Sequence, residues 1–184
     1  MFADNTLTPK EAIRLCALGT LAQADAPMSY SALANAIRHF TSRITGPSLD
    51  IMGTSIELLK YEGLVRPING AGMEDDAELA LTDDGRQELV ALMTSRIRSQ
   101  GGEVNKLIAT LKLRFLHMLE RTEQVRQIDL MIESTDNEIA RLDDLRQAHA
   151  DAPGHLADWL DHDIELLEGH LDWLERLRDK LNAA

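Results

Sequence analysis

Three changes of pattern fall within residues 56–86, and few folds accommodate them in that order. Leu58-Leu59-Lys60-Tyr61-Glu62-Gly63-Leu64-Val65 reads as the end of a helix, stopped at Gly63, that runs into an extended segment. Glycine suits that stop because the left-handed backbone that closes a helix costs it nothing sterically. Residues 65–68 and 78–81 read as two strands, with Asn69-Gly70-Ala71-Gly72 at the tip of the hairpin joining them. Leu81-Thr82-Asp83-Asp84-Gly85-Arg86 opens another helix, with Thr82 as its cap and two carboxylates in the first turn, where they complement the helix dipole. A lone hairpin is marginally stable at best in water, so the flanking helices must hold these strands.

The preceding residues supply such helices. Thr8-Pro9-Lys10-Glu11 is a helix start, with Thr8 and Glu11 spaced as a capping box and Pro9 at the first helical position. Ile13, Leu15, Cys16, Leu18, Leu21 and Ala22 are the apolar residues of that helix, which ends near Ala24. Ser29 or Ser31 caps a short second helix that turns Leu33, Ala34 and Ile37 inward, with Phe40 at the margin, and gives way to a loop over 41–47. Pro47 and Ser48 open a third helix with Ile51, Met52, Ser55, Ile56 and Leu59 on one stripe. Three helices, a hairpin and a fourth helix that runs to about Ser99 make the order of a winged helix-turn-helix, a fold that commonly binds DNA.

The remaining chain reads as helix almost to its end. Gly101-Gly102 is a hinge. Leu107, Leu111, Phe115 and Met118 or Leu119 line one helix. Val125, Ile128, Ile132, Ile139 and Leu142 line the next, with Thr135 in one apolar place. After the turn Asp151-Ala152-Pro153-Gly154, leucines at 156, 160, 167, 171, 174, 177 and 181 and Ile164 line the last. Two long amphipathic helices with a short loop form an antiparallel hairpin. Their seams offer more apolar surface than one hairpin covers with itself, so a second copy is expected. The expected fold is mainly α with a small β-hairpin: a winged helix-turn-helix domain over 1–100 and a long antiparallel helical hairpin, for dimerisation, over 101–184. Hydrophobic residues make up 44% of the chain but aromatics only 4%, which favours helices over a sandwich of strands.

Charge restricts the partners. The net charge of −12 argues against a protein that coats nucleic acid. Residues 126–184 hold 15 Asp+Glu against 6 Lys+Arg, and residues 1–100 hold 13 against 9, so any DNA contact must be local. The single Cys16 cannot form an internal disulfide, which fits a reducing cytoplasm. Met1-Phe2-Ala3-Asp4-Asn5 is not a signal peptide, and no apolar run approaches the ~18 residues of a membrane span. A cytoplasmic location without a membrane partner is expected.

Residues 12–92 resemble the N-terminal domain of PadR-like transcriptional regulators, including their AphA-like branch. The resemblance rests on residues 13–21, on Ser29-Tyr30-Ser31-Ala32-Leu33, on residues 56–65 and on Leu81-Thr82-Asp83-Asp84-Gly85-Arg86. The helical C-terminal half is similar to the dimerising region of the same family. Two departures stand out. Where the family carries a Tyr on its recognition helix, this chain reads Met52-Gly53-Thr54-Ser55-Ile56, and Gly53 weakens a helix by roughly 1 kcal/mol. Where the wing carries basic residues, this chain has Glu74, Asp75 and Asp76.

The resemblance implies a homodimer that binds double-stranded DNA at a palindromic operator, with repression as the commoner family mode. The alternative is a winged-helix interaction module that has lost DNA binding. Candidate DNA-contacting residues are Ser48, Thr54 and Ser55 near the start of the third helix, Lys60 further along it, and Arg38, Arg43 and Arg66 for flanking phosphates. Candidate dimer-interface residues are Leu107, Leu111, Phe115, Trp159, Leu167, Leu171, Trp173 and Leu174. Some relatives take small aromatic effectors, but no residue pattern marks a pocket. His155, Asp158, Asp161, His162, Glu165 and His170 recur on the last helix, and they read better as a solvated stripe than as metal ligands. Cys16 reads as a small core residue, and no phosphate loop, paired-Cys motif or nucleophile elbow is present, so neither cofactor nor catalysis is expected.

Overall fold

The computed structural model describes residues 6–45, 52–71, 75–96 and 102–183, and only the backbone of residues 52–55. Its elements are α1 (Pro9–Gln23), β1 (Met28–Ser29), α2 (Tyr30–Thr45), α3 (Met52–Tyr61), β2 (Val65–Asn69), β3 (Glu78–Leu81), α4 (Asp83–Thr94), α5 (Glu103–Phe115), a 3-10 turn (Leu116–Met118), α6 (Arg121–Ala148) and α7 (Leu156–Ala183). The chain divides into two compact units, Met1–Arg96 with Gly102–Met118 and Ile97–Gly101 with Leu119–Ala184.

In the first unit α1 is the hub. Thr8 caps it: its hydroxyl accepts from the Glu11 N–H at 3.3 Å while the Glu11 carboxylate accepts from the Thr8 N–H at 2.7 Å. Ala12, Ile13 and all residues from Leu15 to Leu21 are buried, so the helix has almost no solvent face. Such a helix belongs in the middle of a core. It packs against α2, α3, α4, α5 and β3.

The wing is a three-stranded antiparallel sheet of order β1-β3-β2, with Val65 opposite Leu81 and Met28 opposite Leu79. Sequence pattern located β2 and β3 but not β1, a two-residue strand too short to carry an alternation. The register slips between Pro67 and Asn69, which leaves Ile68 as the extra residue. Thr82 seats α4 on the wing. Its hydroxyl accepts from the Gly85 N–H at 3.0 Å and lies within hydrogen-bond reach of the Gly63 and Leu64 carbonyls, at 2.8 and 3.0 Å. A Cβ on Gly85 would sit 2.1 Å from the Leu64 carbonyl oxygen, so glycine there permits the close approach of α4.

Two helices differ in length from the pattern. α2 continues through the stretch expected as a loop and ends at Thr45, where Thr41 and Thr45 satisfy their buried hydroxyls on the Ile37 and Thr41 carbonyls at 2.9 and 3.0 Å. α4 stops at Thr94, where Ser95 bonds the Leu92 carbonyl at 2.7 Å; the expected end at Ser99 lies outside the described residues.

α5 belongs with the first unit. Leu107, Leu111 and Phe115 are 0–1% exposed, and α5 packs on α1 and α2. Buried Lys112 donates to the Met93 carbonyl at 2.8 Å and to the Ser95 carbonyl, placing a cation on the C-terminal carbonyls of α4, where the helix dipole favours it. The compact unit therefore extends beyond residue 100, where the pattern placed the domain boundary.

The second unit is the expected helical hairpin. α6 and α7 are 28 residues each and pack along one another. Arg146 grips Asp161 with two bonds of 2.7 and 3.0 Å. Thr135, in an apolar place of α6, is fully buried and donates to the Met131 carbonyl at 2.9 Å, which satisfies its hydroxyl inside the helix. Leu160 and Leu174 are the buried residues of α7, while Trp159, Leu166 and Trp173 are 55%, 59% and 42% exposed.

Gly19 fixes how closely α5 meets α1, since a Cβ there would fall 2.4 Å from the fully buried Phe115 ring. Helix propensity alone favours Gly19→Ala by about 1 kcal/mol, whereas overpacking a core costs about 1–3 kcal/mol. Because the ring is fully buried, the variant is expected to unfold at lower urea concentration than the parent; an unchanged or higher midpoint would contradict this packing.

Candidate nucleic-acid interface

The candidate interface is the outer face of α3 with its neighbours on α2 and the wing. α3 is oriented by what it buries: Ile56 and Leu59 are each 1% exposed, and α3 packs on α1 and α2. Its end is closed by two bonds, Leu64 N–H to the Leu59 carbonyl at 2.9 Å and Gly63 N–H to the Lys60 carbonyl at 3.1 Å, with Gly63 at φ +77°. This is a Schellman cap, and it turns the chain directly into β2. Arg14 of α1 secures the same corner. Its guanidinium donates to Glu62 at 2.8 Å and to Glu88 of α4 at 3.0 Å. Burial works against its charge, but the two carboxylates outweigh that and raise its pKa above the ordinary value.

The opposite face of α3 presents Leu58 and Tyr61, the latter 89% exposed. Ser48 lies outside the described residues, and of Thr54 and Ser55 only the backbone is described, as part of α3. Lys60 has partners within the unit. Its ammonium pairs with Glu57 at 2.8 Å and donates to the Ala71 carbonyl at the wing tip at 3.0 Å, so it is engaged within the domain. Arg38 is exposed and donates to Asn35 on its own helix at 2.9 Å. Arg43, in the last turn of α2, and Arg66, on β2, are exposed and pair with no carboxylate among the described residues.

Two acidic residues of the wing are internal ligands. The Asp75 carboxylate accepts from the Ala71 N–H at 2.7 Å and closes the tip. Asp76 reaches α2, accepting from the Ser31 N–H at 2.7 Å and from its hydroxyl at 2.9 Å. The Ser31 backbone bond, with its side-chain bond second, holds the Asp76 carboxyl below the usual range. Ser29 caps the same helix by accepting from the Ala32 N–H at 3.2 Å. Sequence reasoning offered Ser29 or Ser31 as the cap but missed the contribution of Asp76, which lies 45 residues from Ser31 and carries no local signal. Glu74 lies outside the described residues.

The proposed interface residues on the helical half separate by burial. Leu107, Leu111, Phe115 and Leu174 are 0–1% exposed within one chain, leaving no surface for a second copy. Their apolar periodicity marks contacts made inside each unit. Trp159 and Trp173 are largely exposed, and Leu167 and Leu171 are half-buried at the margin. Trp159, Leu166 and Trp173 are spaced by seven, so they share one stripe of α7. His170 stacks on Trp173 with ring centroids 5.7 Å apart, and its burial lowers its pKa.

His155 sits 3.1 Å from Asp158, while Asp161 is held by Arg146. No group of three or more His, Cys, Asp or Glu among the described residues could hold a metal ion. Burial pushes the Cys16 thiol up to about 11, the reverse of what a nucleophile requires. No helix of the described residues is long and apolar enough to cross a membrane.

None of the curated proteins compared with the chain matches it. Similar solved structures include a PadR-like transcriptional regulator from Bacillus cereus, at 17% identity, 93% coverage of this chain and 98% of the other, and a TM-score of 0.39. Bacillus subtilis PadR in complex with operator DNA is 18% identical, with 92% and 98% coverage and a TM-score of 0.35. The same Bacillus subtilis protein in complex with p-coumaric acid is 17% identical, with 93% and 99% coverage and a TM-score of 0.37. The family model described as "Putative AphA-like transcriptional regulator" matches residues 2–178. That match takes in both the winged unit and the helical hairpin, and the chain belongs to this family of transcriptional regulators.

Proposed function

We propose that the protein is a homodimeric, cytoplasmic DNA-binding repressor that reads a palindromic operator with α3. The observation that carries this reading is the family match over residues 2–178 on a chain whose α3 buries one face and leaves the other open beside a wing. Thr54 and Ser55 belong to the end of α3 that a helix-turn-helix protein points into the major groove, and Ser48 stands four residues before α3 in the sequence. Arg38, Arg43 and Arg66 then serve flanking phosphates. Lys60 leaves this set, because Glu57 and Ala71 already hold its ammonium. With so few cations each subunit binds weakly, and two linked half-sites restore affinity through effective concentration.

The second copy covers the α7 stripe of Trp159, Leu166 and Trp173, with Leu167 and Leu171 at its margins. Exposed tryptophans at heptad spacing on a long helix are suited to anchoring such a contact. The open apolar residues Leu58 and Tyr61 favour one competing reading, a winged unit that docks on another protein instead of DNA.

Fluorescence anisotropy with DNA from the protein's own upstream region tests the arginines. Arg43→Ala and Arg66→Ala are each expected to weaken binding and to flatten the slope of log K against log salt by about 1; unaltered slopes would remove both from the interface. Sedimentation tests the dimer. The parent should run near twice 20.5 kDa and the Trp159→Glu, Trp173→Glu double variant near the single-chain mass, with unchanged helical circular dichroism. A parent that stays monomeric at micromolar concentration would contradict the proposal.

A further inference from the structure

The wing tip carries carboxylates where a DNA-binding wing carries cations, and the contacts of those carboxylates give them another use. The Glu57–Lys60 ion pair of α3 meets the tip through the Lys60 bond to the Ala71 carbonyl, 3.0 Å. The N–H of the same Ala71 goes to Asp75 at 2.7 Å. Gly70 leaves room for this, since a Cβ there would lie 2.7 Å from the Asp75 carboxylate. The next residue, Asp76, adopts φ +50° and takes both the N–H and the hydroxyl of Ser31 at the start of α2. The Tyr30 N–H to Ala77 carbonyl bond, 3.0 Å, and the β1–β3 pairing extend the same seam. Thus α2 and α3, the two helices of the helix-turn-helix, are each bonded to one hairpin tip by charged side chains.

We infer that the tip of this wing is a brace and not a DNA contact: Lys60, Asp75 and Asp76 are positioning residues that set α3 against α2. The inference rests on the reading of α3 as the DNA-facing helix. Charge-assisted bonds are the stronger and more directional class, which suits them to fixing an angle between helices. The brace also accounts for acid near a phosphate surface, because Asp75 and Asp76 face the protein's own donors.

The brace and simple electrostatics predict opposite signs. A carboxylate that merely repels phosphate would, once removed, leave DNA binding tighter. A brace, once broken, leaves it weaker. Asp76→Ala and Lys60→Met in the full chain should each raise the Kd for the upstream DNA roughly three- to tenfold, the scale of one solvent-exposed hydrogen bond lost. The salt slope should stay unchanged, since no phosphate contact is lost. Amide hydrogen exchange at Ser31 should quicken in Asp76→Ala and at Ala71 in Lys60→Met. Asp76→Asn keeps a carbonyl acceptor and tolerates the left-handed backbone, so it should recover most of the affinity. Tighter binding by Asp76→Ala, or a slope flattened by about 1 in Lys60→Met, would overturn the inference. Should the parent bind no DNA, the reading of α3 fails by itself; quickened exchange would still support the brace, and unchanged exchange at both amides would overturn it separately.

Discussion

Burial of α1 on every side is the constraint on which the first unit depends. A helix with residues 12–13 and 15–21 inside the protein has to be surrounded, and α2, α3, α4, α5 and β3 do so. Each fully buried large aliphatic side chain contributes about 1.5–3 kcal/mol relative to exposure, so Ile13, Leu15, Leu18 and Leu21 outweigh any single polar contact in the unit. The polar contacts decide geometry instead. The Thr8–Glu11 box fixes where α1 starts, Arg14 ties it to the corners of α3 and α4, and Gly19 sets its distance from α5.

The same division between apolar mass and polar aim governs the candidate interface. Ile56 and Leu59 hold α3 in the core, while its orientation is set by Lys60, the Gly63 cap and the Glu62–Arg14 bond. The cations and carboxylates used there already have partners inside the unit. Of the candidate cations, Arg43 and Arg66 pair with no carboxylate among the described residues, and the chain, acidic in balance, belongs to a family of transcriptional regulators.

Much of the architecture was legible in the sequence because local rules and burial agreed there. Thr8-Pro9-Lys10-Glu11, Gly63 and Thr82 gave the bounds of elements, and leucine periodicity gave the helical hairpin. What escaped depends on partners far apart in the chain. Periodicity says that Leu107, Leu111 and Phe115 face something apolar, but only the fold shows that it is α1 and α2 of the same chain. An acidic run reads as solvated surface until Ser31, 45 residues away from Asp76, is found beside it. Lys60 is half such a case: Glu57 lies one turn away on the same helix and is legible locally, whereas the Ala71 carbonyl sits on a hairpin that only folding brings near.

The central claim is that α3 and its flanking arginines bind DNA as two linked subunits. A mobility shift of the unmodified protein with its own upstream region tests it most directly. At about 50 mM salt a single retarded species is expected at micromolar protein, and at about 200 mM its affinity should fall at least roughly tenfold, as phosphate contacts require. Absence of any retarded species at the lower salt would contradict the account and turn the open face of α3 toward a protein partner.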